Sequence, residues 1–167
     1  MATKEIVTYH SNGNIYEKFV EVDGVRQGKY ERWFENGQKW VECNYVNGLL
    51  DGKYERWFEN GQKRINCVLV NDERHGNYEE WYSTGQKWVE GNYVNGQLHG
   101  KYESWYENGQ KDVECVFVNG KFHGKYEVWF ENGQKSAECN YVNGQLHGKF
   151  ESWYSTGTKE FERNYVN

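Results

Sequence analysis

Apolar and polar residues alternate along this chain in short segments that end at turns rich in asparagine and glycine. Residues 28–51, GKYERWFENGQKWVECNYVNGLLD, illustrate the pattern, since Tyr30 and Cys43 are each flanked by two polar residues. A period of two is typical of a β-strand that buries one side of a sheet. The pattern therefore predicts an all-β fold.

The same segment recurs with a step of 24 residues, which marks a tandem repeat array. Its most regular position is a glycine that occurs seven times, at Gly13, Gly37, Gly61, Gly85, Gly109, Gly133 and Gly157. We expect one domain over residues 1–167. Repeat 1 (about residues 4–27) is a degenerate cap, repeats 2–6 (residues 28–147) are regular, and repeat 7 (residues 148–167) is truncated.

Two Asn-Gly pairs in residues 28–51 predict two tight turns and therefore two strands per repeat. Asn-Gly favours a type I′ turn, in which both central residues need positive φ. Such a turn at Asn36-Gly37 pairs Tyr30 with Cys43, Arg32 with Val41 and Phe34 with Lys39. A type I′ turn at Asn47-Gly48 pairs Tyr45 with Leu50, Cys43 with Gly52 and Val41 with Tyr54. Both turns place the same residues on one side of the sheet: Tyr30, Phe34, Val41, Cys43, Tyr45, Leu50, Tyr54 and Phe58.

The predicted fold is an elongated, single-layer antiparallel meander of about 14 strands, made of seven tandem β-hairpin repeats and twisted or coiled. Its second side is polar apart from the tryptophans, with Glu42 facing both Lys53 and Glu31. A single layer cannot close a core on itself, so curling or a second copy of the chain must cover the apolar side. We therefore expect self-association.

Strands of unequal length predict an irregularity in every repeat, because residues 38–46 and residues 49–59 must pair with each other. A β-bulge at Gly52 and its equivalents would absorb the difference. The alternative is a three-residue turn over residues 35–37, which would move Trp33 to the side of Val41.

Composition argues against several classes of function. The formal net charge is -5, and lysine alternates with glutamate in each repeat, so we expect no nucleic-acid binding and no membrane attachment. The N-terminal residues lack the apolar stretch of a signal peptide, and a cytoplasmic location is expected.

Cysteine and histidine also recur in columns. We expect Cys43, Cys67, Cys115 and Cys139 to be reduced, because equivalent residues of successive hairpins lie about 10 Å apart. The same spacing prevents His75, His99, His123 and His147 from sharing a metal, and hydrogen bonding near the turns is the better interpretation. Cys115 is predicted to oppose Gly124, out of reach of His123. We predict no metal and no cofactor.

Stacked glutamates, such as Glu103 with Glu114 and Glu127 with Glu138, are candidates for an acid and base pair or for a divalent-cation site. They recur in nearly every repeat, whereas a catalytic centre needs one special arrangement. We therefore expect a structural role for them and predict no enzymatic activity.

A tryptophan column is the strongest candidate for a binding site. Either each indole packs on a cross-strand partner, as Trp33 on Trp40, or the column forms an adhesive strip for a protein or a sugar. Its members are Trp33, Trp57, Trp81, Trp105, Trp129 and Trp153.

The recurring signature G-K-Y-E-x-W-[FY]-E-N-G-Q-K, followed by Y-V-N-G-x-L-H-G, resembles the longer variant of the MORN repeat. The resemblance rests on pairs such as Tyr102 with Trp105 and His99 with Gly100, and it covers essentially the whole chain. It implies an extended sheet of hairpins that serves as a scaffold or an interaction module and often self-associates.

These observations predict a non-enzymatic scaffold that binds a protein partner through its repeated aromatic and charged surface. A homodimer or a larger homo-oligomer is expected. Two alternatives remain: a carbohydrate binder that uses the tryptophan column, or an immunity or antitoxin-type partner of a toxin.

Overall fold

Antiparallel β-hairpins make up the computed structural model of the protein, which describes residues 2–166. The chain divides into two compact units, Met1–Gly85 and Gln86–Asn167, which are described separately. Within residues 2–166 all the regular secondary structure is strand, as the alternating pattern predicted. This confirms the all-β class and the meander of tandem hairpins.

In the first unit, strands that follow one another along the chain pair antiparallel, except that β5 and β6 do not pair with each other. Its strands are β1 (Thr3–Tyr9), β2 (Ile15–Val22), β3 (Val25–Trp33), β4 (Lys39–Val46), β5 (Leu49–Leu50), β6 (Gly52–Trp57), β7 (Lys63–Val70) and β8 (Glu73–Trp81). The short strand β5 pairs with β4, as β6 does, so β5 and β6 together correspond to one predicted strand.

The second unit repeats this plan. Its strands are β9 (Lys87–Val94), β10 (Gln97–Trp105), β11 (Lys111–Val118), β12 (Lys121–Trp129), β13 (Lys135–Val142), β14 (Gln145–Leu146), β15 (Gly148–Trp153) and β16 (Lys159–Tyr165). Here β14 and β15 both pair with β13 and again represent one interrupted strand.

The turn at Asn47-Gly48 forms as predicted. Asn47 has a φ of 52° and Gly48 a φ of 83°, the two positive values that a type I′ turn requires. Strand pairing continues from it through Val46 with Leu49 and Tyr45 with Leu50, in the predicted register. The prediction for this turn is confirmed.

The turn at Asn36-Gly37 differs from the predicted type I′ geometry. Only Gly37 has positive φ (85°), and its N–H donates to the carbonyl oxygen of Phe34 at 2.9 Å. The N–H of Phe34 in turn donates to the carbonyl oxygen of Gln38 at 2.8 Å. This is the three-residue turn that we kept as the alternative, and the predicted pairing of Phe34 with Lys39 is wrong.

A bulge next to this turn decides which side each tryptophan occupies. Arg32 pairs with Val41 as predicted, but Trp33 pairs with Lys39, so Trp40 is an extra residue in β4. Trp33 therefore keeps its place beside the polar side chains, and Trp40 changes sides instead. The expectation that a three-residue turn would move Trp33 is wrong, because the bulge restores the register.

A wider bulge lies at Gly52, where we predicted it. Gly52 has a φ of 100°, and beyond it Val41 pairs with Arg56 and Glu42 with Glu55. The register has moved by two residues, so the predicted pairs of Cys43 with Gly52 and Val41 with Tyr54 are wrong. The location of the bulge is confirmed, and only its size was missed.

The side of the sheet that carries Tyr30 and Cys43, which we call the tyrosine face, holds the core of the first unit. Phe19, Tyr30 and Cys43 are buried there, and their rings and thiol are covered by half-buried neighbours. These neighbours are Ile6, Val41, Tyr45, Leu50 and Tyr54. The shared side predicted for Tyr30, Val41, Cys43, Tyr45, Leu50 and Tyr54 is thus confirmed.

Hydrogen bonds between turns join successive repeats within each unit. The Asn36 side chain accepts from the N–H of Gln38 at 2.9 Å and donates to the carbonyl oxygen of Glu59 at 3.0 Å. Equivalent asparagines make the same two bonds, as Asn132 does with Gln134 and with the carbonyl oxygen of Ser155. An asparagine at this position therefore caps its own turn and also binds the next one.

Candidate interaction surfaces

The six tryptophans of the predicted strip are half-buried and lie opposite the tyrosine face, on what we call the lysine–glutamate face. The members are Trp33, Trp57, Trp81, Trp105, Trp129 and Trp153. The suggested packing of Trp33 on Trp40 is wrong, because Trp40 stacks on Phe34 at 5.3 Å between ring centroids and lies under the guanidinium of Arg32. Whether the column binds a partner stays a prediction.

Lysine ammonium groups lie between successive indoles of this column. The Nζ atom of Lys39 lies 6.0 Å from the ring centroids of both Trp33 and Trp57. In the second unit, Lys111 and Lys135 lie 5.7 and 5.8 Å from the ring of Trp129. These distances are within the range of a cation–π interaction. The indole faces are therefore partly occupied by the protein's own cations.

Each of these lysines also neutralises a pair of facing glutamates. Glu31 pairs with Glu42 across β3 and β4, and Lys39 donates to both carboxylates, at 2.9 Å in the case of Glu31. Lys29 adds a second cation, 2.8 Å from Glu31. Glu31 faces Glu42 as predicted. The predicted pairing of Glu42 with Lys53 is wrong, because the bulge at Gly52 places Glu55 opposite Glu42.

This charge cluster keeps its buried carboxylates ionised. Partial burial raises the pKa of Glu31, but hydrogen bonds from Lys29 and Lys39 outweigh burial, so that the pKa lies below its ordinary value. The pKa of Glu103 is lowered in the same way by Lys111 and Lys101. A general acid needs a raised pKa. The stacked glutamates are therefore better suited to structural ion pairs than to proton transfer.

His99, a member of the histidine column, bonds to a turn in the way that the sequence suggested. The N–H of Asn119 donates to Nδ1 of His99 at 3.4 Å. Gln27 occupies the same column two repeats before His75, and its side-chain oxygen accepts a hydrogen bond from the N–H of Asn47 at 2.8 Å. Within residues 2–166 no three side chains of His, Cys, Asp or Glu come together in a group that could hold a metal.

The cysteines are buried thiols on the tyrosine face. Cys115 lies opposite Tyr102 on one side and Tyr126 on the other, so its predicted pairing with Gly124 is wrong. Burial raises the pKa of Cys43 and of Cys115 to about 12. A nucleophilic cysteine needs a lowered pKa. These thiols therefore serve as small core residues.

Comparison with known proteins agrees with this architecture. The family model described as a MORN repeat variant matches residues 26–47, 50–67, 74–95, 98–119, 122–143 and 146–167. The chain belongs to the MORN-repeat family. No curated protein matches it. MORN repeats generally occur in scaffold or interaction proteins, and the family is typically non-enzymatic.

The first matched MORN unit begins at residue 26, so residues 4–27 lie almost entirely outside the matched ranges. They nevertheless form the hairpin of β1 and β2, whose Phe19 belongs to the buried core. Among residues 2–166 the structure contains no helix that is long and apolar enough to cross a membrane.

Sequence reasoning missed an arginine cluster on the tyrosine face of the first unit of this MORN-repeat chain. Five of the six arginines in the sequence occur there: Arg26, Arg32, Arg56, Arg64 and Arg74. The guanidinium groups of Arg26, Arg32, Arg64 and Arg74 lie over aromatic rings, as Arg26 does over Tyr30 at 5.2 Å and Arg74 over Tyr78 at 4.4 Å. The signal was a departure within one repeat column, where Arg32 and Arg56 are followed by Glu80, Ser104, Val128 and Ser152.

Proposed function

We propose that this MORN-repeat chain is a non-enzymatic scaffold that binds a protein partner and associates with itself through the repeated faces of its sheet. The observation that supports the proposal most directly is the layer structure. Among the described residues of each unit the strands pair side by side in one sheet, and several large aromatic side chains stay exposed, such as Trp88, Tyr154 and Phe161 in the second unit. Exposed aromatic side chains on a sheet favour association with another protein surface.

Within this proposal the tryptophan column is the candidate contact strip. Half-buried indoles on paired strands lose little conformational freedom on binding and offer large apolar areas. Sugar binding through the same column is the alternative, but a sugar would stack on ring faces near which Lys39 and Lys135 already lie. Protein binding is therefore the better-supported function, and an immunity or antitoxin-type partner would be one case of it.

The test combines Trp105→Ala and Trp129→Ala in one variant of the full chain. Light scattering reports self-association, and pull-down with the tagged chain from its native cell reports partner capture. Loss of both, with an unchanged far-UV circular dichroism spectrum, supports the strip. Tyr154→Ala is the matched control, because Tyr154 is an exposed aromatic outside the column.

Unchanged capture by the tryptophan variant would exclude the strip as the contact site. A monomeric wild-type chain that captures no protein, but binds glycans on an array, would overturn the scaffold proposal. The variant Trp129→Leu keeps most of the packing volume and serves as a second measurement if the alanine variant unfolds.

A further inference from the structure

Two arginines of the tyrosine face border one cavity in the first unit. The cavity has a volume of about 300 Å³ and is lined in part by Arg56, Arg74, Tyr54, Tyr78, Leu50 and Asp72. The lining combines the guanidinium groups of two arginines with the phenol rings of two tyrosines and with aliphatic side chains. Such a lining suits a ligand that has both an anionic head and an apolar stem.

The guanidinium of Arg56 lacks full hydrogen bonding. Its Nε atom is buried and has no hydrogen-bond partner among residues 2–166. Among the described residues the Nε atoms of Arg32 and Arg64 are buried without a hydrogen-bond partner as well, but each of these two guanidinium groups lies 3.8 Å from a carboxylate oxygen, of Glu17 and Glu80 respectively. A buried polar group without a partner costs free energy, which an added acceptor would recover.

A carboxylate in the cavity wall, that of Asp72, already has a hydrogen-bond partner. Its Oδ1 atom accepts the N–H of Leu50 at 2.7 Å. A doubly charged phosphate would be repelled by Asp72 more strongly than a singly charged carboxylate would be. The chemistry of the wall therefore favours a carboxylate as the anionic head.

We propose that this cavity binds an aspartate or glutamate side chain from an acidic segment of a protein partner, with Arg56 and Arg74 as the carboxylate ligands. Paired guanidinium forks match the planar geometry of a carboxylate. The phenols of Tyr54 and Tyr78 flank the methylene groups of the bound side chain. This inference rests on the proposed function, since it assumes that the chain is a protein-binding module.

The repeat columns restrict the site to one place in the chain. Positions equivalent to Arg56 in the second unit are Ser104, Val128 and Ser152, and those equivalent to Arg74 are Leu98, Phe122 and Leu146. In the preceding repeat, Arg32 is followed by Leu50 at the position of Arg74. Both arginines occur together only once, so one acidic segment is expected to bind per chain.

The test uses fluorescence anisotropy with the full chain and a labelled peptide of alternating glutamate and leucine. The same peptide with glutamine in place of glutamate is the ligand control. We expect saturable binding of the glutamate peptide only, with one peptide per chain. Arg56→Gln combined with Arg74→Gln should weaken that binding at least tenfold.

A matched control removes two positive charges elsewhere. Lys101→Gln with Lys125→Gln takes them from the lysine–glutamate face of the second unit, and binding should change by less than twofold. An equal loss in both double variants would overturn the proposal in favour of non-specific attraction. Arg56→Lys serves as a second variant if the double glutamine variant does not fold. It retains the positive charge without the planar guanidinium, and we expect it to weaken peptide binding.

Two further outcomes would contradict the acidic-segment site. One is an absence of peptide binding, and the other is arginine-dependent binding to phosphatidylserine vesicles in place of the peptide. Neither result would decide the scaffold proposal. That proposal is tested by light scattering and by the Trp105→Ala, Trp129→Ala variant, which report on a different surface. Failure of the two proposals can thus be distinguished.

Discussion

Lys39 donates a hydrogen bond of 2.9 Å to Glu31 and binds Glu42 with the same ammonium group, while that ammonium also lies 6.0 Å from the ring of Trp33. One lysine thus neutralises two facing carboxylates and covers an indole. The arrangement recurs with Lys135, Glu127, Glu138 and Trp129 in the second unit. The lysine–glutamate face is therefore organised around the tryptophan column by ion pairs that the sequence shows only as alternating charge.

Acid should weaken these clusters. Because the folded-state pKa of Glu103 lies below its ordinary value of 4.5, the stabilisation is fully present above about pH 4.5 and is lost as the pH falls through the lowered pKa. Glu103→Gln should cost about 0.5–1 kcal/mol at pH 7 and flatten the decline of stability below pH 4.5. Urea unfolding between pH 7 and pH 3 measures both. Glu107→Gln, at an exposed turn position, is the control and should leave the pH profile unchanged.

The asparagine that links two turns should contribute to stability through two separable bonds. Asn36→Ala removes the bonds to Gln38 and to Glu59, and we expect a loss of about 1–2 kcal/mol in the free energy of unfolding. Asn36→Asp retains the acceptor for the N–H of Gln38 and should lose less. Urea unfolding followed by tryptophan fluorescence gives both values. Wild-type stability in the alanine variant would show that the link between turns contributes nothing.

The glycine at the wide bulge should be required for its backbone conformation rather than for space. Gly124 has a φ of 77°, and a Cβ atom placed there would meet no atom within 4 Å. Gly124→Ala should therefore cost about 1–2 kcal/mol through left-handed backbone strain alone. Gly124→Asn should cost less, because asparagine tolerates this region. Thermal unfolding of the two variants measures both losses of stability. Equal losses in the alanine and asparagine variants would indicate a cause other than the positive φ of Gly124.

The buried thiols should resist alkylation. Burial raises the pKa of Cys43 and Cys115 to about 12, so almost no thiolate exists at pH 8. We expect iodoacetamide to modify the native chain far more slowly than the chain in denaturant, as counted by mass spectrometry. Because these folded-state pKa values exceed the ordinary 9.0, thiol burial stabilises the fold fully below about pH 9, and this contribution is lost between about pH 9 and pH 12. Rapid native alkylation at pH 8 would contradict the assigned burial.

Local chemistry in the sequence was sufficient for the repeat, the turn at Asn47-Gly48 and the residues of the tyrosine face. A type I′ turn depends on two adjacent residues that tolerate positive φ, and alternation depends only on strand geometry. The same local reasoning located the wide bulge at Gly52. It failed for the turn at Asn36-Gly37, because the Asn-Gly pair does not decide this turn: the same three-residue turn forms at residues 155–157, where Thr156 replaces the asparagine.

By itself the amino-acid sequence determined the period, the strand order within each repeat and the residues available for a core, since these depend on neighbours along the chain. Tertiary structure decided the registers beyond each bulge, which bring Cys115 opposite Tyr126 and move Trp40 to the side of Arg32. It also brought Arg56 and Arg74 to one cavity. These relationships depend on pairing between strands of different hairpins, and a shift of one or two residues there changes every contact that follows.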